Sequence, residues 1–390
     1  MKLAERAAQI KPSATLSVST KAMELRAKGK DILSLSVGEP DFPTPAHICK
    51  AAKEAVDAGF TRYTPVPGIP ELRTAAARYF NKFYGTQAEA EHVIIGNGGK
   101  HCLYNICQVL LNPGDQVLIP APYWVSYPAM VELAGAKPVV VPSTAENNFK
   151  IGVEDLERSR TPKTRLLFLN SPSNPTGVCY SREELDAIAA WAVEHGVIVV
   201  SDEIYDQLVY KPAEANSLAP WWSRHPELFV VVNGVAKTFA MTGWRVGYAL
   251  GHPDLIKAMS RLQGQSTSNV CSISQKAAVA ALTGPFGPVD EMRVAFERRR
   301  NLALEIISSW PGVVCPKPDG AFYLFPDVHE RYTSACPDST SLCTRLLDEA
   351  GVALVPGVAF GDDRCIRVSY AVSDETLTKA LHKVAKILLK

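Results

Sequence analysis

Short apolar runs separated by helical patterns fill the chain from about residue 92 to residue 282. Seven of these runs have the length of a β-strand and show no alternation of polar and apolar positions. They are residues 92–95, 116–119, 138–141, 165–169, 197–200, 229–232 and 245–250. Continuous apolar strands are typical of a mostly parallel sheet covered by helices on both faces. The pattern therefore predicts an α/β fold with a seven-stranded, mostly parallel sheet.

Helical spacing and capping signals mark the segments between these strands. Ser181 and Glu184 form a capping box that opens a helix reaching His195. Pro70 suits the first turn of another helix, and Gly85 suits its end. Further helices are predicted at 47–58, 103–111, 126–133, 253–263 and 273–282. This alternation of strands and helices supports the α/β class.

The pattern changes after residue 285. It predicts one long helix over 292–310, helices over 340–350 and 377–388, and short strands near 313–314, 321–325 and 365–370. The N-terminal residues read as a polar arm and a short helix ending near Gly29. We therefore predict a large domain of residues 43–285 and a smaller α+β domain formed by residues 1–42 and 286–390.

The composition is that of an ordinary globular protein. The chain has 390 residues, of which 47% are hydrophobic and 21% charged, with a net charge of +1. Without an excess of basic residues, we expect neither nucleic acid nor a membrane as partner. Glu5, Arg6 and Lys11 occupy positions where a signal peptide needs apolar residues, so a cytoplasmic protein is expected. Nine cysteines without a C-x-x-C pair indicate reduced thiols and no metal site.

The unusual stretches follow the predicted strands. They are GNGGK, APYWVSY, NSPSNPTG, SDEIY and NGVAK. Ligands of parallel sheets bind beyond the carboxyl ends of the strands. Lys237 stands there among small residues, where loss of solvent can make its amine nucleophilic. Arg245, eight positions later, can hold a phosphate bidentately. A lone lysine is usually solvated, so the other residues must decide.

Four further candidates each have a plainer interpretation. Asp202 follows a buried strand and would need a cation such as a pyridinium nitrogen, but it could also cap a helix or form an ion pair. Tyr205 could donate to a ligand or be a core tyrosine. Asn174 could donate to a ligand oxygen or only form a turn. Arg367 could bind a substrate carboxylate or a structural acid.

A glycine turn before a predicted helix is a candidate anion site. The backbone N–H groups of Gly98, Gly99 and Lys100 can bind a phosphate there, although the spacing is not that of a Walker A loop. Trp124 could stack on a flat ring or be structural. Together the candidates offer a Schiff-base lysine, an acid for a ring nitrogen, hydroxyl donors, a stacking ring and phosphate ligands. Pyridoxal 5′-phosphate requires this combination.

The chain resembles the class I aminotransferases, which are pyridoxal-phosphate enzymes of fold type I. It is similar in particular to the bacterial branch that includes aspartate and bifunctional aspartate/prephenate aminotransferases. The resemblance runs from about residue 12 to residue 372 and implies the aspartate aminotransferase-like fold. The matching stretches are SVGEPDF, RYTPVPGIPELR, GNGGK, PYWVSYP, NSPSNPTG, SDEIYD, AKTFAMTGWRVGY, PDGAFY, VPG and RVSYA.

The resemblance implies a role for each candidate toward the cofactor. Lys237 would carry pyridoxal phosphate as a Schiff base, with Asp202 on the ring nitrogen and Tyr205 near the ring hydroxyl; these three are the implied catalytic residues. The other implied cofactor ligands are Asn174 at the ring hydroxyl, Trp124 against the ring, and Arg245, Gly99 and Lys100 at the phosphate. Tyr63 would reach the cofactor of the neighbouring subunit in a homodimer with shared active sites.

The resemblance also implies how substrates bind. Arg367 and Asn174 would hold the α-carboxylate, with Trp124 beside it and Gly38 allowing close approach of the backbone. Better-known relatives read the distal carboxylate with an arginine, whose place here is Gly264; Lys100 and Thr15 are expected to take that role. Ser268 and Asn269 are candidates for additional contacts. Relatives also have serines near the lysine, where this chain has Gly234 and Ala236.

These implications predict a transaminase that converts L-aspartate and 2-oxoglutarate to oxaloacetate and L-glutamate. Conversion of prephenate to arogenate is a further expected activity of this branch. An aromatic or alanine aminotransferase and a pyridoxal-phosphate C–S lyase remain alternatives, because they can use the same groups. A non-catalytic regulator would need a DNA-binding segment, for which the N-terminus is too short.

Overall fold

The central element of the structure is a seven-stranded sheet. The computed structural model describes residues 1, 3, 4, 10 and 14–389, without the side chains of residues 14–16. In chain order the strands are β1 (Leu33–Ser34), β2 (Val93–Gly96), β3 (Gln116–Pro120), β4 (Lys137–Val141), β5 (Thr164–Asn170), β6 (Ile198–Asp202), β7 (Phe229–Gly234), β8 (Gly247–Leu250), β9 (Tyr323–Leu324), β10 (Val352–Ala353), β11 (Val355–Pro356) and β12 (Ile366–Ser369). The large sheet has the order β2-β8-β7-β6-β5-β3-β4.

Only β8 runs against its neighbours in this sheet, and the other pairs are parallel. The predicted mostly parallel, seven-stranded α/β fold is thus confirmed. Successive residues of each strand point into two different cores. Ile95 packs in the core on one face, while Ile94 and Val232 pack in the core on the other. This two-sided burial explains why the strands read as continuous apolar runs.

Helices cover both faces of the large sheet, and further helices pack with the short strands outside it. In the described part of the chain they are α1 (Ala14–Ala27), α2 (Ala46–Asp57), α3 (Pro70–Tyr84), α4 (Gly99–Leu110), α5 (Tyr127–Leu133), α6 (Val153–Ser159), α7 (Arg182–His195), α8 (Ala219–Arg224), α9 (Pro253–Gly264), α10 (Ser272–Thr283), α11 (Gly287–Ser308), α12 (Ser339–Ala350) and α13 (Asp374–Leu388). The capping box of α7 is confirmed, since the Ser181 hydroxyl accepts from the Glu184 amide at 3.2 Å. None of the described helices is long and apolar enough to cross a membrane.

The structure differs from the sequence-based expectation in short segments. Arg245 was expected to start a strand, but it adopts a left-handed backbone with φ 55°, so β8 starts at Gly247. The strand expected at 313–314 is only an isolated bridge between Val314 and Asp327. The two-residue strands β1, β10 and β11 are too short to produce an apolar pattern.

A third core lies where the C-terminal helices meet the small strands. It contains Phe296 of α11, Leu342 of α12 and Leu381 of α13, and it extends to Tyr205 below the large sheet. Strand β1 joins this region by parallel pairing with β10, with Leu33 opposite Val352. The N-terminal residues therefore pack with the C-terminal part of the chain. The limits expected for the two domains stay a prediction.

Candidate active site

The carboxyl ends of β5, β6 and β7 lie side by side and hold the polar residues. Asn170 ends β5 directly opposite Asp202 at the end of β6. Its side chain donates to the Asp202 carbonyl at 2.8 Å and accepts from the Asn174 amide at 2.8 Å. Strand β7 ends beside them, three residues before Lys237. The parallel sheet thus gathers three sequence-distant motifs at one edge.

Asp202 is a buried carboxylate with neutral partners. The Tyr127 hydroxyl donates to it at 2.8 Å, and the Ile204 amide donates at 3.3 Å. Burial raises the pKa of Asp202 to about 6, although these two hydrogen bonds act in the opposite direction. The site therefore favours a cation next to this carboxylate, because a cation would offset the cost of its burial.

Lys237 is a partly buried amine at the same edge. Its ammonium donates to the carbonyl of Gly38 and lies 6.0 Å from the centre of the Tyr205 ring. Loss of solvent lowers the pKa of Lys237 to about 8; the negative charges of Glu39 and Asp202 oppose this shift, and the positive charges of Arg367 and Arg245 add to it. A neutral amine is therefore accessible near physiological pH, as nucleophilic and proton-transfer chemistry requires.

Arg367 is a buried guanidinium that meets no acid among the described residues. It donates to the Asn174 side chain at 3.0 Å and to the Ser36 carbonyl at 2.7 Å, and its Nε is buried without an acceptor. It also lies over the rings of Tyr323 and Phe360. A buried cation with a free donor is suited to a ligand carboxylate.

Two buried tyrosines beside Arg367 pair through their hydroxyl groups. The hydroxyl groups of Tyr205 and Tyr323 lie 2.9 Å apart. Both rings are buried, which raises the pKa of both phenols, so each remains a proton donor. A Cβ atom on Gly38 would come within 2.9 Å of the Tyr323 hydroxyl. Glycine at position 38 therefore leaves room for the Tyr323 hydroxyl, and the close approach to substrate that the resemblance implies stays a prediction.

An anion cradle forms where α4 begins. Gly98 has φ 89°, and a Cβ there would lie 2.6 Å from an Nη of Arg245. The Arg245 guanidinium donates to the Thr242 and Asn97 carbonyls, which fix it beside the glycine turn. The amides of Gly99 and Lys100 in the first helical turn have no acceptor among the described residues. Helix amides next to an arginine suit a phosphate.

Contacts between glycines leave little room for a side chain at position 234, one of the two places where relatives have a serine. Gly234 and Gly247 are paired across β7 and β8. A Cβ at Gly234 would lie 3.0 Å from the Gly247 Cα, and a Cβ at Gly247 would overlap the backbone nitrogen of Gly99. A side chain at 247 would force the start of α4 outward, and one at 234 would crowd Gly247 and Ile204. The expectation that phosphate binding relies on Arg245 and the glycine turn stays a prediction.

An aromatic stack forms the other wall of the cleft. Tyr127 stacks on Phe168, with ring centres 4.7 Å apart, and Trp124 meets Tyr127 edge-on at 5.4 Å. The Lys100 ammonium lies 4.7 Å from the Trp124 ring. Partial burial and the nearby Arg245 lower the pKa of Lys100. Trp124 is thus fixed beside a cation at the mouth of the site.

Some predicted residues lie apart from this cluster. Tyr63 is 91% exposed, and the expectation that it serves a neighbouring subunit stays a prediction. Thr15 lies in α1, but its side chain is outside the described residues. A Cβ atom at Gly264 would lie 3.8 Å from a methyl carbon of Val66. The Asn269 side chain donates to the Val270 carbonyl. Ser268 has a left-handed backbone with φ 59°.

Sequence reasoning missed four residues that hold the site together. Tyr127 and Asn170 fix Asp202, while Tyr323 and Ser36 contact Tyr205 and Arg367. Tyr127 could have been found from its place three residues after Trp124, in the first turn of a helix. The other three contacts join segments distant in sequence, so no local pattern marks them.

The chain matches a known family over most of its length. Residues 30–384 match the family described as "Aminotransferase class I and II", and the chain belongs to this family. The chain is 47% identical to an aspartate aminotransferase of Geobacillus stearothermophilus, over 100% of this chain and 99% of that protein. It is 46% identical to an aspartate/prephenate aminotransferase of Cereibacter sphaeroides, over 98% of this chain and 97% of that protein.

A solved structure supports the same relationship. The aspartate aminotransferase from Thermus thermophilus with maleate superposes with a TM-score of 0.95 at 44% identity, over 99% of this chain and 100% of that chain. The resemblance drawn from the sequence motifs is confirmed at the level of the family and the fold.

The residues present fit the pyridoxal phosphate that this family uses. Asp202 lacks a cationic hydrogen-bond partner among the described residues, and a pyridinium nitrogen would be one. Unpartnered amides beside Arg245 suit the phosphate. A lysine with a lowered pKa lies at the same strand edge. The donor set therefore matches the cofactor at its ring nitrogen, phosphate and aldehyde ends.

Replacing Gly247 by alanine should damage this site through backbone contact alone. The new Cβ would overlap the Gly99 nitrogen, so the start of α4 must move away. We expect a loss of about 1–3 kcal/mol in unfolding free energy and weaker cofactor binding. Urea unfolding and cofactor titration measure the two effects. Gly243→Ala is the matched control, because a Cβ there has no neighbour within 4 Å; equal behaviour of both variants would contradict the contact.

Asp202→Asn should stabilise the protein without its cofactor. Folding raises the pKa of Asp202 from its ordinary 3.8 to about 6, so the folded state holds this proton more tightly than the unfolded state. The folded protein therefore loses stability as the pH rises from 3.8 to about 6. Above about pH 6 the full free-energy cost of burying the Asp202 carboxylate is present.

We expect the asparagine variant to gain about 1–2 kcal/mol at pH 7.5, with a smaller gain at pH 5. Chemical unfolding of the cofactor-free proteins at the two pH values measures this gain. A variant less stable than the wild type at pH 7.5 would show that Asp202 serves the fold rather than a ligand.

Proposed function

We propose that this chain is a pyridoxal-phosphate-dependent aminotransferase that exchanges the amino group of L-aspartate with 2-oxoglutarate. The observation that carries the proposal is the convergence of three desolvated charges. Asp202 ends β6 and Lys237 follows β7, while Arg367 on β12 donates to Asn174, four residues after the end of β5. Asp202, Lys237 and Arg367 are held by neutral partners or carbonyls rather than by opposite charges. Each charge therefore remains available to a cofactor or a substrate.

The chain would bind the cofactor at three points. Asp202 would keep the ring nitrogen protonated, and Tyr127 orients that carboxylate. Arg245 and the amides of Gly99 and Lys100 would hold the phosphate. Trp124 would lie against the ring, and Tyr205 and Asn174 would donate to its hydroxyl oxygen. When bound, pyridoxal phosphate supplies an electron sink that stabilises negative charge on the substrate Cα.

Lys237 would move the proton that the reaction transfers. Its amine, with a pKa near 8, can take the proton from the substrate Cα and deliver it to the C4′ carbon of the cofactor. The second half-reaction, with the oxo acid, uses the same residue in the opposite direction. The Tyr205 phenol and the Gly38 carbonyl limit where this amine can point.

Two cations would select a dicarboxylate. Arg367 binds the α-carboxylate through the donor that has no protein acceptor. Lys100, over Trp124 at the mouth of the cleft, binds the distal carboxylate, with Thr15 as a second expected ligand. The same pair of cations suits prephenate, which also carries two carboxylates, and a relative named for aspartate and prephenate favours this as a further substrate.

We further propose a homodimer in which Tyr63 serves the neighbouring subunit. Its side chain is 91% exposed in the single chain, which is unusual for a large aromatic ring. A partner that covers it would complete the phosphate site of that partner.

Lys237→Ala should abolish transamination. Without the amine, no group at this edge can move the Cα proton, and we expect turnover to fall by at least about 10³-fold. The variant should also fail to retain the cofactor after borohydride reduction. Lys53→Ala, on the exposed face of α2, is the control and should behave as wild type. Normal turnover by the Lys237 variant would rule out the assignment.

Lys100→Met should reduce activity toward dicarboxylates selectively. Loss of one charge–carboxylate contact should raise KM for aspartate about tenfold and leave KM for phenylalanine unchanged. A panel of aspartate, phenylalanine and alanine against 2-oxoglutarate, oxaloacetate and prephenate measures this. An equal change for all donors would favour the aromatic or alanine enzyme, and pyruvate and ammonia without an oxo acid would indicate a C–S lyase.

A further inference from the structure

An irregular segment, residues 36–44, lies across the cleft and contacts both catalytic cations. We name it the strap. It contains neither helix nor strand. Its Ser36 carbonyl accepts from Arg367 at 2.7 Å, and its Gly38 carbonyl accepts from Lys237. The positions of two backbone carbonyls thus help to decide where the substrate-binding guanidinium and the reactive amine point.

The two ends of the strap are held in different ways. Before it, the Leu35 amide donates to the Ala353 carbonyl at 2.9 Å, which continues the pairing of β1 with β10. Beyond Gly38, Asp41 accepts two hydrogen bonds from Arg299, at 2.7 and 3.0 Å. The single bond from Thr242 to Glu39 between them is exposed. A bidentate arginine–carboxylate pair is the stronger and more directional of these contacts.

Arg299 is itself rigidly placed. Only 8% of its side chain is accessible, and it lies over the ring of Phe42, which packs edge-on against Phe296 of α11. Its Nε donates to Asp374 at the start of α13. The Asp41–Arg299 pair therefore fastens the strap beyond Gly38 to a well-packed helix surface. The last strap residue, Thr44, is held separately, because its hydroxyl donates to the Ala240 carbonyl at 2.8 Å and accepts from the Trp244 indole at 3.0 Å.

We propose that Asp41 is a positioning residue for substrate binding, acting through Arg299 to hold the strap carbonyls against Arg367 and Lys237. The proposal deepens the proposed aminotransferase function and depends on it for the identity of the substrate. If the strap moved, Arg367 would lose a buried acceptor and its fixed plane. Only the fraction of molecules with the strap in place would bind tightly, so apparent affinity would fall by that fraction.

The test compares two aspartates that share one arginine. Asp41→Asn breaks the contact with the strap, whereas Asp374→Asn breaks the contact of Arg298 and Arg299 with α13 and leaves the strap contact intact. Amide hydrogen exchange of residues 33–44 is measured without cofactor and with it. Kinetics with aspartate and 2-oxoglutarate, and inhibition by maleate as a non-reacting four-carbon dicarboxylate, give KM, kcat and Ki.

For Asp41→Asn we expect exchange of the strap to accelerate about tenfold, and KM and Ki to rise about five- to tenfold, with kcat within about twofold of wild type. Asp374→Asn should lower the melting temperature comparably and leave KM, Ki and strap exchange unchanged. Asp41→Glu keeps the charge and should restore part of the affinity, and it also serves if the asparagine variant does not fold.

Two results would overturn the proposal: unchanged KM and strap exchange in Asp41→Asn, or an equal rise of KM in Asp374→Asn. The second would show that the arginine has only a structural role. Failure of the wild type to transaminate aspartate would instead contradict the proposed function. Hydrogen exchange of the strap can be measured without turnover, so it would still show whether Asp41 holds the strap. In that case KM would be measured with whichever amino donor the wild type does convert.

Discussion

Burial of charge without a hydrogen-bonded counter-charge is the constraint on which the rest of this site depends. Among the residues that the structure describes, Asp202, Lys237 and Arg367 meet hydroxyls, amides and carbonyls in place of opposite charges. Such burial costs free energy, and it shifts the pKa of each group toward its neutral form. The large sheet places Asp202 and Lys237 at the carboxyl ends of β6 and β7, and β12 of the smaller three-stranded sheet places Arg367.

Close backbone contact is the second requirement of the site. The start of α4 can approach the sheet because Gly247 carries no side chain where it meets Gly98 and Gly99. This contact brings the glycine turn and Arg245 together as an anion cradle. Gly234, which faces Gly247 across β7 and β8, also has little room for a side chain.

The sequence predicted most of the fold because the relevant signals are local. Continuous apolar strands, the Ser181 cap and the Pro70 helix start each depend on neighbours in sequence, and the structure has them where the pattern placed them. The turn at Arg245 was missed, since left-handed backbone at a non-glycine residue is imposed by tertiary contacts. Two-residue strands such as β1 carry no periodicity at all.

The site could likewise be predicted only as far as its signals are local in sequence. The motifs named Lys237, Asp202 and Arg367, because residue type and position at strand ends are visible in the sequence. The groups that orient them, such as Tyr127 and the strap carbonyls, come from segments up to several hundred residues away. Their role follows from geometry, which the order of residues alone does not give.

The most direct test of the central claim is the protonation state of the cofactor's ring nitrogen, followed by ¹⁵N NMR of labelled pyridoxal phosphate bound to the protein. If Asp202 is a buried carboxylate reserved for a cation, this nitrogen stays protonated from pH 6 to pH 9, the range flanking the pKa of about 8 of Lys237. A nitrogen that loses its proton across this range, as a solvated pyridine would, contradicts the account.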